Sequence, residues 1–312
     1  MNPQSLITAL GAGAASAALF ALQARGEAAP GLLGLFAPLP LMIVGLGYGE
    51  RLALLAAAVT LALVLALFDP FVCAVAFISV AAPALVLTAL SSREKTAAPG
   101  WLLLACALLS ILLILIVISA EIWGGTSFDA ALGEIAEKMK PAAEAIFNAS
   151  GDIFGDINPN TLARLLALAL MPAAAAWGVV GFAVNLWLAG RATAVSGLLQ
   201  RPWPDLPSTL RLPRPAFVGV GLAAVACLSP GVIRVMAACA LAALLTAFAI
   251  SGLAALHGVT RGRAGRPAVL SGFYVLCFAL FPWPLIVMAG LGIADVVRPL
   301  RRGGDIPTPS QP

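Results

Sequence analysis

Long apolar runs, with no alternation of apolar and polar positions, dominate the chain. They cover about 5–22, 31–48, 51–68, 70–91, 100–123, 162–190, 215–229 and 232–258, and a last one, 267–297, is interrupted at Pro282-Trp283-Pro284. Crossing ~30 Å of hydrocarbon takes roughly 20 apolar residues in a helix, and the runs are of that order. No period of two marks the strands of a membrane barrel. Proline and glycine punctuate the boundaries, as at Asp69-Pro70, Pro99-Gly100 and Ser229-Pro230-Gly231. The last run is too long for one straight crossing. Its central prolines lack a backbone donor and crowd the preceding turn, which predicts two short helices in a hairpin. The predicted fold is all-α, a polytopic bundle of about eight full spans plus this proline-broken C-terminal hairpin. The first run lacks a basic flank and a cleavage site, so it is read as a retained span.

Composition agrees, since 61% hydrophobic against 10% charged residues over 312 positions excludes a soluble protein. Residues 1–312 are expected to form a single integral membrane domain with a flexible tail at 303–312. Basic residues set the orientation. With the amino terminus inside, the inner loops carry Arg51, Arg93, Lys95, a basic loop at 191–214 with Arg191, Arg201, Arg211 and Arg214, and then Arg261, Arg263 and Arg266. The outer segment 124–161 is acidic: Asp129, Glu134, Glu137, Glu144, Asp152 and Asp156 outnumber Lys138 and Lys140. Counting 267–297 as a hairpin keeps Arg298, Arg301 and Arg302 inside, so both termini are expected in the cytoplasm. Within the outer segment, Phe128, Leu132, Ile135 and Met139 recur at helical spacing, predicting an amphipathic helix that ends near Pro141.

One phrase is written twice. PLPLMIVGLGYGE (Pro38–Glu50) and PWPLIVMAGLGIAD (Pro282–Asp295) share Pro-x-Pro, an apolar segment, Gly-Leu-Gly and a carboxylate. Pro38, Pro40, Pro282 and Pro284 free backbone carbonyls, while Gly45, Gly47, Gly290 and Gly292 let another backbone or a ligand come close. Glu50 and Asp295 then mark the water boundary. Packing is the plainer role for this set; a pocket or gate, as in broken-helix transporters, is the other.

A second cluster joins NLWLAGR (Asn185–Arg191) to RPWPDL (Arg201–Leu206). Asn185 near a helix end requires hydrogen-bond partners, and Trp203 between two prolines suits an interfacial anchor. Arg191 and Arg201 beside that tryptophan also suit a phosphate or an acidic partner. His257, the lone histidine, is expected to hydrogen-bond, with proton-linked function as the alternative. The five cysteines lie within apolar runs without CxxC spacing, so no metal or disulfide is expected. No P-loop, GxSxG or HExxH is present, and neither enzymatic activity nor a cofactor is expected. The bilayer is the expected partner, and charge scattered over short loops argues against nucleic acid.

PLPLMIVGLGYG, NLWLAGR with RPWPDL, HGVTRG and GLGIADVVRPLR together resemble the YybS-like family of bacterial membrane proteins. That family is distantly similar in helical layout to the substrate-binding S components of energy-coupling-factor transporters. The resemblance implies a multi-pass protein of the bacterial cytoplasmic (inner) membrane that binds a small vitamin-like ligand and leans on an energising subunit. The long acidic outer segment and extra C-terminal helices depart from a compact S component. A non-transporting scaffold for envelope machinery, using small-residue faces such as Gly11-x-x-x-Ala15 and Ala14-x-x-x-Ala18, is the alternative.

Overall fold

The computed structural model describes residues 3–25, 32–93, 97–125, 127–150, 158–199 and 202–298, and among them helix is the regular element throughout. The order is α1 (Pro3–Ala24), α2 (Pro38–Tyr48), α3 (Glu50–Leu67), α4 (Pro70–Ser92), α5 (Pro99–Trp123), α6 (Phe128–Ser150), α7 (Pro159–Val195), the single turn α8 (Leu206–Thr209), α9 (Arg214–Ala226), α10 (Gly231–Val259), α11 (Arg266–Ala279) and α12 (Trp283–Val297). Six of them, α1, α3, α4, α5, α7 and α10, are long and apolar enough to cross a membrane, while Leu32–Tyr48, α9, α11 and α12 are shorter apolar helices. The all-α polytopic architecture therefore stands, with the expected runs 31–48 and 215–229 appearing as shorter elements. The expected tail at 303–312 lies outside the described residues.

Local chemistry sets these boundaries. Pro38, Pro70, Pro207, Pro267 and Pro284 occupy first helical turns, where a missing N–H loses no intrahelical bond. Asp69 caps α4 by accepting from the Phe71 and Val72 amides at 2.8 and 3.1 Å. Inside α4 a π turn at Phe77–Ala81 precedes Pro83, which cannot donate to the preceding turn. Gly49, at φ +92°, separates α2 from α3. The C-terminal hairpin is present, with α11 and α12 joined through residues 280–282 and a cis Phe281–Pro282 bond.

The chain divides into two compact units. The first comprises Met1–Cys106, Val180–Phe217 and Leu245–Pro312. Its helices approach through small residues. A Cβ on Gly13 would meet the Ala56 carbonyl of α3, one on Gly45 would meet Thr88 of α4, and Gly292 of α12 faces Gly252 and the Phe248 carbonyl of α10. Hydroxyls join the segments through other carbonyls: Thr60 donates to Gly13 at 3.1 Å, and Ser16 to Ala37 at 2.6 Å. Each such interhelical bond contributes about 0.6 kcal/mol on average in a bilayer, so close packing supplies most of the cohesion. Large apolar side chains such as Phe278, Phe281 and Val275 lie outward, as a lipid-facing surface requires.

The second unit holds Ala107–Val179 and Val218–Leu244. There α6 lays Ala143 against Leu162 and Ala163 of α7, flanked by Met139, Phe147 and Leu166, and Arg164 pairs with Asp129 at 3.0 Å. Ser110 donates to the Ala175 carbonyl at 2.6 Å. The predicted amphipathic helix exists but does not end at Pro141; it continues to Ser150. Pro141 is on the exposed face, and the apolar stripe carries on through Ala143 and Phe147, so burial beyond the proline outweighs its lost hydrogen bond.

The glycines of the second phrase supply a direct test of backbone packing. Gly292→Ala places a methyl group into the Phe248 carbonyl and is expected to destabilise by about 1–3 kcal/mol. Gly290→Ala, with open space around it, should be neutral or slightly stabilising. Thermal unfolding of the two purified variants in detergent checks the contrast.

Candidate functional site

The clusters NLWLAGR and RPWPDL meet in the first unit. Gly190 is the reason: a side chain there would overlap the six-membered ring of Trp203, so the absent Cβ seats the indole directly on α7. From Trp203 the chain continues as a strap, residues 202–213, fastened at successive points. Asp205 accepts from both terminal nitrogens of Arg261, at 2.7 and 2.9 Å, and from Ser208 at 2.8 Å. The Leu210 carbonyl accepts from Ser251 of α10 at 3.2 Å. Arg211 reaches Asp295 of α12 through Nε at 3.1 Å and Nη2 at 3.4 Å. Gly100, at the start of α5, passes directly under the Arg211 carbonyl, where any Cβ would overlap it.

Beside the strap lies a cavity of about 420 Å³. Leu46 of α2, Ser91 of α4, Leu102, Leu103 and Cys106 of α5, the Val180–Trp187 face of α7 and Ile250 of α10 form one side, and Pro202, Trp203, Pro204, Leu206 and Leu210 of the strap form the other. The walls are almost wholly apolar. The Ser91 hydroxyl is already committed to the Thr88 carbonyl at 2.8 Å. An adjoining recess shares Trp187 and Trp203 and adds Arg191, Asp205 and Pro207.

The expected site residues separate into groups. Pro38, buried, and Pro40, half-buried, open α2; Gly45 faces Thr88, and Gly47 lies against Thr193 and Leu198. Glu50 begins α3 at the surface and accepts from Ser92 at 3.3 Å. Pro282 and Pro284 open α12, Gly290 is exposed, and Gly292 packs on α10. The two repeated phrases thus engage different helices, and of the two only the first lines the cavity, through Leu46. Asp295 is fully buried within the protein and paired with Arg211.

Asn185 is buried, donating to the Leu35 and Gly181 carbonyls at 2.9 and 2.8 Å, while its Oδ1 has no partner among the described residues. Trp203 Nε1 is likewise buried, with no partner among the described residues. His257 Nε2 meets the Tyr274 hydroxyl at 2.9 Å. Arg191 is exposed at the recess; Arg201 lies outside the described residues. Sequence reasoning did not pair Asp205 with Arg261 or Arg211 with Asp295. Only the placement of Asp205 and Arg261 within already conspicuous motifs hinted at the first pair.

A family model for "Predicted membrane protein (DUF2232)" matches residues 14–296. The chain belongs to this family of predicted membrane proteins. No curated protein and no solved structure shows a significant match to it. In this DUF2232 protein the matched stretch contains the whole cavity and every fastening of the strap.

Hydrogen bonds from Arg261, then Ser208, hold the Asp205 carboxyl down at about 2, below the ~3.9 of an unfolded chain. A depressed carboxylate supports the folded state fully above the unfolded value and loses that support as pH falls through the folded one. Trp203 emission, read in a chain whose other tryptophans are phenylalanine, should stay constant from neutral pH to about 4 and change progressively towards about 2. Asp205→Ala should abolish that step.

Proposed function

We propose that this protein is a small-molecule-binding membrane subunit of transporter type whose ligand site is the cavity between α2, α5, α7 and the strap. The observation that carries the reading is the cavity itself: about 420 Å³ falls in the ~300–1,000 Å³ range of ligand sites, and its walls come from segments far apart in sequence. The likeness of the motifs to YybS-like proteins, and more distantly to S components, supports the same reading. The proposed setting is the bacterial cytoplasmic membrane with both termini inside, from the arginine distribution. On that reading the strap, Arg191 and the recess face the cytoplasm, where an energising subunit has access to them. A scaffold role is the second reading, favoured by the exposed small residues Gly11, Ala14, Ala15 and Ala18 along α1.

Ala183 lines the cavity and is half-buried, so Ala183→Trp fills the space from a wall. A thermal-shift screen of purified protein should find compounds that stabilise the wild type, by about 2.7 kcal/mol at a hundredfold excess over Kd, and leave Ala183→Trp unshifted. A screen without such compounds, with the protein instead retained by other membrane proteins through α1, would favour the scaffold. For orientation, a cysteine at the exposed position Lys138 in a cysteine-free background is expected to react with an impermeant maleimide only from outside the cell.

A further inference from the structure

Resting on that reading, we infer that the cavity takes a single-chain amphiphile with an anionic head: the alkyl chain within the cavity and the phosphate or carboxylate in the recess at Arg191. The walls exclude the contrary chemistry first. Among the described residues no Asp, Glu, Lys, Arg or His lines the cavity, and the one hydroxyl among them, on Ser91, already donates to a carbonyl. A nucleobase or a polar vitamin would bury several donors and acceptors against walls that offer little beyond Trp203 Nε1 and the Ser91 oxygen, at a cost of roughly 1–3 kcal/mol for each group left unmet. An alkyl chain has no such groups. The volume of about 420 Å³ is equivalent to roughly fourteen water-sized groups, the scale of one chain and not of two.

The recess decides the head. Among the described residues its charged side chains are Arg191 and Asp205. Both oxygens of Asp205 are taken by Arg261, which neutralises that carboxylate. Arg191, exposed at the recess, has no acidic partner among the described residues, which leaves its guanidinium free to pair with an anion entering there. Planar guanidinium donors match phosphate and carboxylate oxygens in pairs. Trp187 and Trp203 line both spaces, so an amphipathic ring flanks the junction where chain gives way to head. Trp187 and Val184 of the apolar helix α7 line the cavity and are 44% and 39% exposed, so the cavity is not sealed on that side, where an alkyl chain from a bilayer would enter.

The test uses the full chain in a neutral detergent, with tetradecyl phosphate, tetradecanoate, tetradecyltrimethylammonium, inorganic phosphate and a two-chain phosphatidylglycerol as probes below their micellar concentrations. Both single-chain anions should raise the unfolding temperature, and the cation and inorganic phosphate should not. Arg191→Ala, an exposed change that leaves the packing intact, should weaken the anions on the order of tenfold, with Arg191→Lys between. Ala183→Trp should abolish the effect. Equal binding of the cationic amphiphile, or an unchanged Arg191→Ala, overturns the anionic head; displacement by phosphatidylglycerol overturns the single chain. A polar compound that binds wild type but not Ala183→Trp would overturn the amphiphile while leaving the cavity as a ligand site. No binding by any probe or compound would sink both.

Discussion

A carboxylate with no exposed surface has to be given a counter-charge, and the first unit is arranged around that requirement at Asp295. An isolated buried charge costs several kcal/mol, and removing one partner of such a pair typically costs about 3–5 kcal/mol. Arg211 is the answer, and for its guanidinium to reach α12 the backbone of the strap has to run close beneath the helices. Gly100 gives the strap's backbone room to pass, and Ser251 occupies the carbonyl next to the arginine. Once Arg211 is in place, Trp203 and Leu210 are held where they wall the cavity. The site is therefore a by-product of satisfying one charge as much as of packing apolar surface.

Elsewhere in the unit the same logic acts on neutral groups. Thr60, Ser16, Ser251 and Asn185 each donate to a carbonyl of another segment, and each is buried. In apolar surroundings a helical carbonyl retains spare acceptor capacity, so a small hydroxyl can join two helices without disturbing either. Glycine complements it by removing the side chain that would hold the backbones apart. The pairing of Gly252 with Gly292 is the clearest case, each facing backbone atoms of the other's helix.

How much of this could be read in the sequence depends on the range of each interaction. Helix class and most boundaries were legible, because apolar runs and first-turn prolines act within a few residues. The link between NLWLAGR and RPWPDL was legible as a cluster, since the two lie close in sequence and each carries a tryptophan beside arginine. The burial of Asp295 was not legible because its partner is 84 positions away, and nothing local marks a carboxylate as buried. Pro141 was read as a stop because its local effect is unfavourable; only the apolar stripe beyond it, packed on α7, shows why the helix continues. Of the glycines in the two Gly-Leu-Gly phrases, Gly45 and Gly292 are places of close approach while Gly290 faces open space, and pattern alone could neither tell these apart nor assign Gly45 to Thr88 and Gly292 to Gly252.

The strap carries Pro202, Pro204, Pro207 and Pro213 within little more than one turn of helix either side of α8. Each ring fixes one backbone dihedral and reduces the number of conformations open to the detached segment. Detachment therefore gains little disorder. If the Arg261 latch and the Arg211 pair were released together, the segment would swing as a stiff flap on its ends and would not melt into coil, so its movement would expose the cavity along one defined edge.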